Sequence, residues 1–224
     1  MLRSEINSLI ANAIDFLEDM KFSLPPWAYW SAATWKEHKE HCAEIFENQL
    51  GWDLTDFGSG SFSTTGLLLF TLRNGNPHKG LKSYAEKIMV VEENQLTPMH
   101  FHWSKMEDII NRGGGELMIQ LYASTDREEL SKEDFKVSMD GIIHTCTPGE
   151  TVVLRPGESI TLTSGLYHSF HGRPGKGKVL VGEVSAVNDD HSDNRFYEKM
   201  GRFPKIEEDE AIAYFLVGDY VNIN

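Results

Sequence analysis

The sequence predicts a mainly β fold, a sandwich or barrel, with a helical extension at its N-terminus. Three observations predict it: short apolar runs recur after residue 57, turn residues separate nearly all of them, and a helical apolar period is confined to residues 1–56. In the first segment Ile6, Leu9, Ile10, Ala13, Ile14 and Leu17 share one helix face, Ser4 stands where it can cap the start, and Phe16 falls at the edge of the stripe. Pro25-Pro26 cannot continue that helix. Residues 34–50 predict a second helix, closed by Gly51. His38 and His41 lie one turn apart on it among Lys and Glu, the pattern of a solvated face.

From residue 57 onward Gly, Ser and Thr become frequent. Runs at 67–72, 84–91, 116–122, 135–139, 142–146, 151–154, 159–162 and 178–184 predict strands, and Asn74-Gly75-Asn76, Pro148-Gly149 and Pro156-Gly157 predict turns between them. Asp140-Gly141, between two apolar runs, predicts a hairpin. Residues 211–223 are apolar enough to add an edge strand or a helix. There is no internal repeat and no low-complexity tract. The chain therefore reads as a single domain over 1–224, with residues 1–56 as a helical extension packed outside a β body at 57–224 that includes the C-terminal segment.

Composition bounds the function. The chain has 224 residues, of which 40% are hydrophobic, enough to bury a proper core. A net charge of −13 with no Lys or Arg run argues against nucleic acid or an anionic membrane as partner, since both need concentrated positive charge. Cys42 and Cys146 are too few for a disulfide scaffold and read as buried free thiols. The first twenty residues lack a continuous apolar core of the signal-peptide kind, and no segment approaches the ~20 apolar residues of a membrane span. A cytoplasmic setting is expected.

The stretch 97–115, TPMHFHWSKMEDIINRGGG, carries the chemistry. In a strand, side chains at i and i+2 share a face, so His100 and His102 enter the interior together. Glu107 follows a short connection and can return to the same cavity. A His-x-His pair alone fits two core histidines equally well; the glutamate and the glycines after it favour a divalent ion with open coordination positions. A fourth ligand should come from a later antiparallel strand. Residues 157–168 supply a turn, a strand, a second turn at Ser164-Gly165 and then His168.

These residues resemble the cupin superfamily. His100, His102, Glu107 and Gly114 fit its first motif, although Asn94 stands where that motif has glycine. Gly157, Gly165 and His168 fit the second, with Thr163 in place of its proline and Gly172 in place of its asparagine. The departures concern turns rather than ligands. The run from His100 to Gly115, with Asp193-Asn194-Arg195-Phe196 and Arg202-Phe203-Pro204, is similar to the cupin-type D-lyxose isomerases over most of the chain. The resemblance implies a jelly-roll β-barrel, a homodimer and one divalent ion per chain. By the same resemblance the expected ion is Mn²⁺, with Co²⁺, Zn²⁺, Fe²⁺ and Ni²⁺ acceptable to the same donors. It also implies a monosaccharide substrate, with interconversion of D-lyxose and D-xylulose and of D-mannose and D-fructose.

Such a reaction needs a base that carries a proton between C1 and C2, and a cation that stabilises charge on the substrate oxygens. Lys105 lies inside the first motif, where a nearby cation should lower its pKa and suit it to catalysis or substrate binding; the alternative is a surface lysine in a turn. Glu183 can point inward as a catalytic carboxylate or be a buried partner of an arginine. Asp193 and Arg202 belong to the stretches shared with the isomerases. The resemblance implies substrate binding for both and an acid–base role for Asp193, with a structural salt bridge as the other reading of Arg202. Trp103 alternates away from the histidines and is expected in core packing. His144 and His171 read as structural or as neighbours of the ligands, and the acidic run 207–210 reads as a solvated loop. Two rivals remain: a different cupin enzyme, such as an Fe²⁺ dioxygenase, and a sugar-binding cupin without turnover.

Overall fold

A computed structural model describes residues 1–76, 82–189 and 192–223. The first helix, α1 (Arg3–Asp19), buries Ile6, Ile10, Ala13, Ile14 and Leu17 as its apolar period requires. Ser4 is not its cap. The backbone N–H of Leu2 donates to the Glu5 carboxylate at 2.8 Å, while Ser4 donates from backbone and side chain to Asp209. Ala32–His38 forms α2, capped by the Ser31 hydroxyl, and Ala43–Glu47 forms α3. The single helix expected over 34–50 is thus broken by a 3₁₀ turn at Lys39–His41, after which the buried Cys42 thiol donates to the carbonyl of His38. Trp35 and Cys42 pack there against Phe215 of the C-terminal segment, and tertiary packing overrides the helical period.

Gly51 does not close a helix; it begins β1 (Gly51–Thr55), a strand inside the stretch expected to be helical. A Cβ at Gly51 would lie 2.2 Å from the Tyr220 hydroxyl, which donates to the carbonyl of Leu50. The position therefore needs glycine for a close approach. The remaining strands are β2 (Leu67–Arg73), β3 (Tyr84–Val91), β4 (Thr97–His102), β5 (Glu107–Gly114), β6 (Leu117–Ala123), β7 (Phe135–Met139), β8 (Ile142–Cys146), β9 (Thr151–Leu154), β10 (Ser159–Leu162), β11 (Leu166–Gly172), β12 (Val179–Ala186) and β13 (Asn194–Phe196). Every apolar run predicted as a strand lands on one of them. The Asp140-Gly141 turn joins β7 to β8 with positive φ at both residues, as a tight hairpin demands.

Two antiparallel sheets result, one of eight strands in the order β1-β2-β3-β12-β5-β10-β7-β8 and one of five in the order β13-β4-β11-β6-β9. The arrangement is mainly β and consistent with a jelly roll. Alternation places the core. Leu67, Met89, Val91 and Val181 of the larger sheet meet Leu117, Ile119, Leu121 and Phe170 of the smaller one. The intervening residues Leu68, Phe70, Ile88, Val90 and Leu180 face outward under α1. Strands β2, β3 and β12 are covered on both faces, which is why they read as continuous apolar runs. The extension packs outside the sheet, as expected. Residues 211–223 contribute a 3₁₀ helix at Val217–Asn222 rather than a strand.

The acidic run is no free loop. Arg3, fully buried, forms bidentate hydrogen bonds to Glu208 and Asp219 at 2.7–2.9 Å, and Asn7 donates to Glu210. The run sits at the N-terminus of α1, where the helix dipole favours negative charge. Trp103 also departs from expectation: it is 48% exposed, with its indole N–H on Glu128 at 2.8 Å. Cys42 and Cys146 are buried free thiols. His144 lies exposed on β8. His171 is partly buried, its Nδ1 beside the carbonyl of Gly172. No helix among the described residues is long and apolar enough to cross a membrane.

Candidate metal centre and active site

The site lies between the two sheets. Strand β4 brings His100 and His102 inward at i and i+2, and β11, its antiparallel neighbour, sets His168 directly opposite His100. The Nε2 or Nδ1 atoms of the three rings lie within 4.8 Å of one another, a cluster able to hold a metal. Glu107, the first residue of β5, approaches from the larger sheet, 3.3 Å from His168 Nε2 and 3.5 Å from His102 Nε2.

Each ring is fixed from behind. The Nδ1 atoms of His100, His102 and His168 sit 2.8, 3.0 and 3.0 Å from the carbonyls of Pro98, Asp193 and Leu166. A carbonyl only accepts, so Nδ1 carries the hydrogen and Nε2 presents its lone pair to the cavity. His168 Nε2 is buried without a hydrogen-bond partner. It faces a carboxylate, so acceptor meets acceptor, and only a proton or a metal cation makes that favourable. Protonation of His100 is disfavoured: burial, then the neighbouring His168 and His102, push its pKa well below the ordinary imidazole value. Burial raises the Glu107 carboxyl, but the Lys105 ammonium beside it outweighs that and holds it well below the usual carboxylate range.

A second cluster adjoins the first. Lys105 is 3% exposed and reaches Glu107 at 2.6 Å and Glu183 Oε1 at 2.9 Å. It is not a surface lysine. Glu183 points inward from β12, and its partners are lysines rather than an arginine: Lys87, directly opposite on β3, approaches the same Oε1 at 3.6 Å. Both cations therefore hold one carboxylate oxygen. Oε2 of Glu183 takes no hydrogen bond from any described residue, and Glu183 lines the cavity.

Arg202 lines the same cavity, whereas Asp193 does not. The Asp193 carboxylate accepts from the backbone N–H of Ser104 at 2.8 Å and of Lys105 at 2.9 Å. Sequence reasoning missed Lys87, Thr97 and Phe196. A lone lysine inside the run YAEKIMVV was the available signal for Lys87. Thr97 turns into the cavity at an irregularity in the β4–β11 register, where Phe170 pairs with Thr97 but His168 with His100, which no sequence period reveals. Phe196 of β13 stacks on His100 at 5.3 Å between ring centroids.

The D-lyxose isomerase family profile matches residues 1–220. The chain belongs to that family. It is an aldose–ketose sugar isomerase. A D-lyxose/D-mannose isomerase from Serratia proteamaculans is 46% identical over 224 residues, covering 99% of this chain and 98% of its own. One from Escherichia coli O157:H7 is 47% identical with 98% of each covered. Among solved structures, an L-ribose isomerase from Cellulomonas parahominis superposes with a TM-score of 0.62 at 15% identity, covering 92% of this chain and 98% of its own; that likeness concerns the fold.

Proposed function

We propose that this chain interconverts D-lyxose and D-xylulose, and D-mannose and D-fructose, using one divalent ion held by His100, His102, Glu107 and His168. The observation that carries the metal assignment is the unpartnered Nε2 of His168, facing Glu107 in a cluster whose other imidazoles are likewise tied at Nδ1. Three imidazoles and a carboxylate suit Mn²⁺, the ion we assign, and leave positions open for substrate. A bound ion supplies Lewis-acid stabilisation to the oxygens of the reacting carbonyl and its neighbouring hydroxyl.

The protein's own groups do the rest. Glu183 is the base: Lys87 and Lys105 hold Oε1, which directs Oε2 to the carbon that loses its proton and then to the carbon that receives it. Lys105, bridging Glu107 and Glu183, is placed to bind the substrate and to exchange a proton with its oxygens as the enediolate forms and collapses. Arg202, at the wall formed by residues 202–203, binds the sugar's hydroxyl groups. The likeness to the D-lyxose isomerases supports assigning the chain as a cytoplasmic homodimer.

The test is ketose formation from D-lyxose and D-mannose in deuterated water. Metal-dependent D-xylulose carrying solvent deuterium supports both the substrate and the proton-transfer route. No ketose with any divalent metal overturns the reading, and ketose without deuterium replaces the base with a hydride shift.

A further inference from the structure

Asp193 is tied to the metal centre and to the lysine loop at once. Its side chain accepts two backbone hydrogen bonds, from Ser104 at 2.8 Å and Lys105 at 2.9 Å. Its own carbonyl meets Nδ1 of His102 at 3.0 Å. The next residue, Asn194, pairs with His102 in the β13–β4 ladder, and Phe196 two residues on stacks against His100. The turn 103–106 joins β4, which carries two of the histidines, to β5, which opens with Glu107.

We propose that Asp193 is a positioning residue that clamps this turn, coupling the orientation of His102 to the placement of Lys105, and that it does not touch the sugar. The inference rests on the metal assignment above, but its first readout, Mn²⁺ affinity, needs no substrate. The physical reason is one of counting. Two N–H groups at a tight turn need acceptors, and a carboxylate with two oxygens accepts both with charge-assisted bonds. Those bonds anchor the backbone of residue 193 beside the His102 ring. Without them that carbonyl moves with its loop, and His102 loses the partner that fixes its tautomer and direction. The same loss frees the Lys105 backbone from the position that lets its side chain reach Glu107 and Glu183.

The experiment compares Asp193→Ala, Asp193→Asn and the wild type, with Mn²⁺ affinity by calorimetry on chelator-stripped protein and with steady-state turnover of D-lyxose at saturating Mn²⁺. The Asn variant keeps the shape and one acceptor oxygen while presenting an NH₂ to the second N–H. The expected result is Mn²⁺ binding ~10–100-fold weaker in Asp193→Ala and an intermediate loss in Asp193→Asn. Turnover at saturating metal should fall in kcat, with little change in KM. Unaltered Mn²⁺ affinity with a large rise in KM overturns the proposal and makes Asp193 a contact of the sugar. Unaltered affinity and unaltered kinetics overturn it as well. Failure of the wild type to isomerise D-lyxose sinks the functional reading while leaving the affinity comparison intact. Should Asp193→Ala not fold, the Asn variant carries the same test.

Discussion

Two buried charge networks in this protein differ in one respect. At the N-terminus of α1, Arg3 is 0% exposed and each of its guanidinium nitrogens donates to Glu208 or Asp219, in two forked pairs. In the cavity, Lys105, Glu107, Glu183 and Lys87 are similarly buried, yet His168 Nε2 and Thr97 Oγ1 lack partners, and one oxygen of Glu183 takes no hydrogen bond from any described residue. A saturated network fixes a structure: it staples the first helix to the C-terminal segment and has nothing left to offer a ligand. An unsaturated one leaves polar atoms that a cation or a substrate could satisfy. The difference in satisfaction, more than in burial or charge, separates structure from function here.

The comparison can be broken from its strong end. His168→Ala removes a donor that has no other use, so one-to-one Mn²⁺ binding by calorimetry should disappear, and turnover should drop by ~10³-fold or more because the Lewis acid is lost. Circular dichroism should show the fold retained. Next, Glu183→Gln keeps the shape and removes the base. The expected kcat falls by ~10²–10⁴-fold while Mn²⁺ affinity stays put. If Mn²⁺ binding fell instead, Glu183 would belong with the ligands.

Arg3→Met tests the saturated network. It leaves Asp219 buried and stripped of its ion pair, so denaturant unfolding should show a loss of about 3–5 kcal/mol with turnover per folded molecule unchanged. Glu208→Gln is the mildest change, because that side chain is 54% exposed; about 0.2–1 kcal/mol is expected. Its sign with pH follows from the pKa. Hydrogen bonds from Arg3 hold the Glu208 carboxyl below 4.5, so its contribution is present above that value and is lost as pH falls through the lowered pKa. The Gln variant should differ least from wild type in acid.

Much of this was legible in the sequence. Period-2 and period-3.6 patterns found the strands and α1, because burial on defined faces writes itself into those periods. The His-x-His spacing found its ring pair, because strand geometry fixes where i and i+2 point. What stayed hidden depends on contacts between distant segments. The acidic run looked solvated because Arg3 lies some two hundred residues away in sequence. The contacts of the Asp193 carboxylate were hidden because they are backbone N–H groups, which leave no mark in the side-chain pattern. Lys87 was hidden by its own strand, a charged residue inside an apolar run, where Glu183 stands opposite it on the neighbouring strand.

The central claim is that the unmet valences of the histidine–glutamate cluster hold the ion on which turnover depends. Titrating Mn²⁺ into chelator-stripped protein while following D-xylulose formation from D-lyxose tests it most directly. The account predicts no turnover in the stripped protein and a rise that saturates at one ion per chain. Full turnover without metal, or a saturation unaffected by His168→Ala, would contradict it.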